Sequence, residues 1–179
     1  YSERILRAYL AGIEQEYGIR TGDTRIMING NGPFIEGGWK VDEGSREAKP
    51  YRDGFGNYGC MEDSFAGEDP SKPSGTGTFL ARYIAVQVVG NHVADFAKVA
   101  LTYDIGQEEP VLHISTKRTS KISQEELHRW VRKNIPLGIK DTIERFNLCD
   151  PALYRQIVDD ADFFHRPDLP WNKFEIPYR

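Results

Sequence analysis

Along the first seventeen residues, apolar side chains recur at helical spacing: Ile5, Leu6, Tyr9, Leu10 and Ile13 share one face, with Glu3, Arg4, Arg7, Glu14 and Glu16 elsewhere. An amphipathic helix over Ser2–Tyr17 is predicted. From Thr24 to Asn29 the pattern alternates as in a strand, Asn31-Gly32 is a hairpin-type dipeptide, and Pro33–Glu36 begins a return strand. One helix and one hairpin cannot close a core, so this front third is expected to dock on another surface.

Periodicity then stops. Residues 37–77 hold more than half of the glycines and no sustained apolar repeat, the mark of a binding loop, a lid or a disordered stretch. From Thr76 to Val93 the chain is apolar on most sides, through Phe79, Leu80, Tyr83, Ile84, Val86, Val88 and Val89. This predicts a buried helix. Lys98–Asp104 and Val111–Thr116 read as strands joined by a short turn around Gly106 and Pro110. Ser123, with Glu126 three residues on, is a capping-box start for a helix through Asn134. Further helices are predicted over Gly138–Phe146 and after Pro151. Helices and strands in this order make the fold class α+β.

Composition narrows the function classes. A chain of 179 residues is long enough for a sizeable core. A formal charge of −4 argues against a general nucleic-acid binder, which needs a basic stripe to neutralise phosphates. Lys117, Arg118 and Lys121 form one small basic cluster, read as a solvated loop. With no apolar run long enough to span a bilayer and no signal-like start, membrane partners are not expected. Tyr1 in place of a starting Met is the expected mark of a processed or trimmed chain. Cys60 and Cys149 are isolated, as free thiols in a reducing, cytoplasmic setting would be. His92, His113, His128 and His165 lack zinc-ligand spacing. Gly-Asn-Gly at 30–32 and Gly-Thr-Gly at 75–77 continue into neither a P-loop nor a dinucleotide fingerprint, and read as a turn and a helix entry.

The stretch GEDPSKPSGTGTFLARYIA, Gly67–Ala85, resembles the polyphosphate-loop-to-helix segment of S-adenosylmethionine synthetases, roughly GKDPSKVDRSAAYAARYVA. The resemblance continues in register. NGNGPFIEGG (Asn29–Gly38), VDEGSREAK (Val41–Lys49), LTYDIGQEEP (Leu101–Pro110) and DLPWNK (Asp168–Lys173) are similar to successive motifs of that family. It implies a mixed or antiparallel sheet with helices packed on one face. Residues 1–36 would then end a central-type domain, 37–77 form the active-site and polyphosphate loops, and 78–179 form a C-terminal-type domain. Family members are about twice this length. The resemblance therefore implies a second polypeptide supplying the N-terminal half, with ATP and methionine as substrates.

Site residues follow from the same resemblance. Lys49 and Lys72 match cations that stabilise the leaving triphosphate, and Arg46 stands near an arginine position that Ala48 occupies here. Phe34 matches an aromatic over the nucleotide and methionine pocket, Ile105 a residue beside the adenine, and Asp42 an acid that holds substrate amino or ribose groups. Implied cofactors are Mg2+, for which Glu68 and Asp69 are candidate ligands with Glu62 and Asp63 nearby, and K+. The chain departs from the pattern at Glu68 and Ser74, where the family has Lys and Asp, and in GCMEDSF (Gly59–Phe65). Three readings are open: the C-terminal-half subunit of a split or heteromeric synthetase, a catalytically degenerate subunit that stabilises or regulates a catalytic partner, or a diverged enzyme of the same fold using another nucleotide.

Overall fold

The computed structural model describes residues 2–30, 32–33, 35–36, 69–160 and 165–178. The chain divides into two units, Tyr1–Asp42 with Asp104–Gln107, and Glu43–Tyr103 with Glu108–Arg179.

In the first unit, α1 spans Ser2–Tyr17, as the apolar spacing predicts. It stops at Gly18, whose left-handed backbone (φ +67°) brings its N–H to the Glu14 carbonyl at 3.0 Å. Thr21 folds back on the helix, its hydroxyl 2.9 Å from the Glu14 carboxylate. None of the α1 side chains is buried, and Ile5, Leu6 and Tyr9 are exposed. Residues 24–29 form no strand, contrary to their alternation, because pairing makes a strand and the sole ladder among the described residues lies elsewhere. A turn lies just before the expected one and joins no strands among the described residues: Asn29 is left-handed and its carbonyl accepts the Gly32 N–H at 2.7 Å, while Asn31 is outside them. A Cβ on Gly30 would lie 1.9 Å from the Ile105 carbonyl oxygen, so only glycine fits there. Arg25 donates to the Gln107 side-chain oxygen at 2.8 Å.

The second unit is built on α2, Pro73–Gly90. Proline at its first position suits a place where no intrahelical N–H bond is made. At its far end His92 takes the left-handed conformation that closes a Schellman motif, with His92 N–H on Val89 O and Val93 N–H on Val88 O. The strands β1 (Lys98–Thr102) and β2 (Val111–Ser115) pair antiparallel, Lys98 opposite Ser115 and Thr102 opposite Val111. This register puts Val99 and Leu101 opposite Ile114 and Leu112 on one face, which packs against the core, while His113 and Ser115 point out.

Helices cover that face. α2 packs on β1, and α3 (Gln124–Asn134) packs on β2. α3 starts where the capping box places it, with the Ser123 hydroxyl accepting the Glu126 N–H at 3.1 Å. The helices α4 (Ile139–Phe146) and α5 (Pro151–Asp160) follow, then a 3-10 turn, Pro170–Asn172. Trp171 from that turn stacks on Phe79 at 3.9 Å, and Phe146 meets both Trp171 and Tyr83 edge-on. The α+β class, with an antiparallel sheet and helices on one face, is what the sequence predicts.

Candidate functional site

The turn that leads into α2 gathers the described residues with the most chemistry. Asp69 makes an Asx turn, its carboxylate accepting the Ser71 N–H at 2.8 Å while its carbonyl accepts the Lys72 N–H at 2.9 Å. The Ser71 N–H, then the Ser71 side chain, and then the Lys72 charge hold the Asp69 carboxyl below its usual range. Lys72 is the extended residue before the helix (φ −73°, ψ 131°), and its own side chain makes no capping hydrogen bond. Pro73 follows at once. The turn therefore presents an ionised carboxylate and a half-buried lysine at the positive pole of an eighteen-residue helix.

Two contacts fix the turn to the helix and to the sheet. The buried Thr76 hydroxyl donates to the Pro70 carbonyl at 2.6 Å, closing the loop on the first helical turn. Gly77 lies under the ring of Tyr103, the residue just past β1, so closely that a Cβ would stand 2.7 Å from Tyr103 Cε2. The Tyr103 hydroxyl is buried without a hydrogen-bond partner among the described residues, and burial pushes its pKa well up.

Of the residues singled out by sequence, Asp69 and Lys72 stand together at this turn. Ile105 sits in the other unit, 74% exposed, with its carbonyl against Gly30. Phe34, Asp42, Arg46, Lys49 and Glu68, with Glu62 and Asp63, lie outside the described residues. Among the described residues no three His, Cys, Asp or Glu side chains form a metal-binding group. No described helix is long and apolar enough to cross a membrane.

Sequence reasoning missed Thr76, Gly77 and Tyr103. The Gly-Thr-Gly run shows small residues at a helix entry, but its neighbour across the fold is invisible in one dimension. Also missed were Gln87, a polar residue inside an apolar helix, and Asn91, just past its end, which hold the chain's last segment.

An antiparallel ribbon, helices on one face and a carboxylate–lysine turn at the head of a buried helix define an α+β domain. Comparison with known proteins is specific: the model for the S-adenosylmethionine synthetase C-terminal domain matches residues 36–173. The chain belongs to the S-adenosylmethionine synthetase family, through that domain. It is similar to the S-adenosylmethionine synthase of Petrotoga mobilis, 30% identical over 158 residues, covering 87% of this chain and 39% of that protein. The synthase of Acholeplasma laidlawii is 34% identical over 158 residues, covering 87% and 41%. That of Mycoplasma mycoides is 27% identical over 165 residues, covering 91% and 42%. The chain thus spans about two fifths of the length of these relatives.

Proposed function

We propose that this chain provides the C-terminal part of a methionine adenosyltransferase, which forms S-adenosylmethionine from ATP and methionine, and that a second polypeptide supplies the N-terminal part. The observation that carries the catalytic reading is the Asp69–Lys72 turn at the head of α2, within the matched domain. Methionine sulfur is already a nucleophile, so the reaction needs in-line positioning and a cationic seat for the leaving triphosphate. In this reading Lys72, Lys49 and Arg46 hold that charge. Phe34, Asp42 and Ile105 bind the nucleoside and methionine. Support for a partner comes from α1, where Ile5, Leu6 and Tyr9 of the apolar face are exposed.

The Asp69 carboxylate, kept ionised, fits one ligand place of a magnesium ion, which takes one or two carboxylates and fills its other places with phosphate oxygens and water. Glu68 is the second candidate ligand. When bound, magnesium supplies charge neutralisation of the triphosphate. Potassium is implied by the family alone. The cytoplasm is the setting this chemistry suits.

A second reading, a degenerate subunit that stabilises or regulates a catalytic partner, is favoured by Glu68. A carboxylate in place of the family's lysine turns an attraction on the order of 4 kcal/mol at 4 Å into a similar repulsion unless a metal intervenes. Native mass of the chain co-expressed with synthetase-like partners, followed by an ATP-plus-methionine assay, separates the readings. An assembly that makes S-adenosylmethionine and loses it with Lys49→Ala supports the enzyme. A stable assembly whose activity ignores Lys49→Ala supports the regulator.

A further inference from the structure

We propose that Tyr103 is a positioning residue for the phosphate-holding turn, acting through Gly77 on the start of α2; this rests on the enzymatic reading above. Most of α2 is held by the core, in which Phe79, Leu80, Tyr83, Ile84 and Val88 are buried. Its first turn is held differently. The Lys72 side chain at its N-cap makes no capping hydrogen bond, and the hydroxyl of Thr76 ties the turn back to the carbonyl of Pro70. The Tyr103 ring presses on Gly77 next to that tie, where a single methyl would come within 2.7 Å of Cε2 and 3.0 Å of Oη.

The contact links the end of β1 to residues 70–77, and hence to Lys72. A sub-ångström shift of this turn moves the lysine relative to a bound triphosphate and weakens its hold in the ground state and the transition state alike, which raises KM and leaves kcat. Packing of the phenol, through Cε2, Cζ and Oη, carries this role, and hydrogen bonding does not. Tyr103 Oη makes no hydrogen bond among the described residues, and a buried hydroxyl without a partner is a cost to the fold. Phenylalanine keeps the ring and removes the cost.

The test uses the chain in its assembly, with inorganic tripolyphosphate affinity and the KM for MgATP as readouts beside melting temperature. Tyr103→Ala is expected to weaken both about tenfold while kcat stays within about threefold. Tyr103→Phe is expected to restore both and to melt no lower than the wild type. Gly77→Ala, which keeps the tyrosine and drives a methyl into its ring, is expected to weaken both as Tyr103→Ala does. Loss of kcat in step with melting temperature, with KM and tripolyphosphate affinity unchanged, would overturn the proposal and leave Tyr103 as packing. So would a Tyr103→Phe variant as weak as Tyr103→Ala. A wild-type assembly that binds tripolyphosphate but makes no S-adenosylmethionine removes the catalytic reading and leaves Tyr103 to be judged on affinity. One that does not bind tripolyphosphate overturns both.

Discussion

At Gln87, one fully buried amide serves three backbone groups of the last segment: it donates to the Lys173 carbonyl at 2.7 Å and accepts the Glu175 and Ile176 N–H groups, each at 3.0 Å. One helical turn on, Asn91 donates to the Ile176 carbonyl at 2.7 Å and accepts the Tyr178 N–H at 2.5 Å. One side chain of α2 and one from the residue just past its end thus stand in for a neighbouring strand. Gln87→Ala leaves those groups without partners and is expected to cost about 2–3 kcal/mol. Urea denaturation measures the loss, and hydrogen exchange should show the Glu175 and Ile176 amides opening first. A loss below about 0.5 kcal/mol would mean water replaces the amide without penalty. Tyr83 adds a pH signature. Burial, and then the Glu175 hydrogen bond, push its pKa up to about 12 against the opposing Arg145 charge. Its neutral form is favoured by folding, so this contribution is fully present below about pH 10 and lost as pH rises through about 12. Residues of this kind are illegible in sequence, because a glutamine in an apolar run shows only that it needs partners, not which backbone supplies them.

At the scale of elements, local signals sufficed where an element satisfies itself. Ser123 and Glu126 announce α3, and Ser123→Ala is expected to cost about 1 kcal/mol in chemical denaturation. The other half of the expected box is absent, since the Glu126 carboxylate accepts the Tyr178 hydroxyl instead. Where an element needs a neighbour, alternation misled: residues 24–29 have the strand pattern but no ladder. Where α3 packs on β2, burial, then the Arg132 charge and His113 hold the His128 imidazole below its ordinary value of 6.5. The unfolded chain takes up that proton first, so the His128 contribution is complete above about pH 6.5 and lost as pH falls through the lowered folded value. His128→Gln should flatten the acid side of a stability–pH curve. α1 makes the clearest element-scale test of a partner. Ile5→Glu replaces an exposed apolar residue, so the isolated chain should keep its stability within about 0.5 kcal/mol while association fails in native mass measurements. Unchanged association would remove α1 from the proposed interface.

For the whole molecule, fold class and family were legible because Asp69-Pro70-Ser71-Lys72 and its long apolar helix, the β1–turn–β2 ribbon and the closing Leu169-Pro170-Trp171 each combine a backbone device with a buried anchor. The candidate site is legible only in part, since contacts between residues distant in the chain are a property of the fold. The turn at Asp69–Lys72 is a local structure and could be read; the Tyr103–Gly77 contact joins residues 26 positions apart and could not. The central claim is that the triphosphate seat belongs to this chain. Its most direct test is the rate of S-adenosylmethionine formation by the intact assembly carrying Lys72→Ala, with native mass as the control. The account predicts a loss of about a hundredfold or more in kcat/KM with the assembly unchanged; a rate equal to that of the wild type would contradict it.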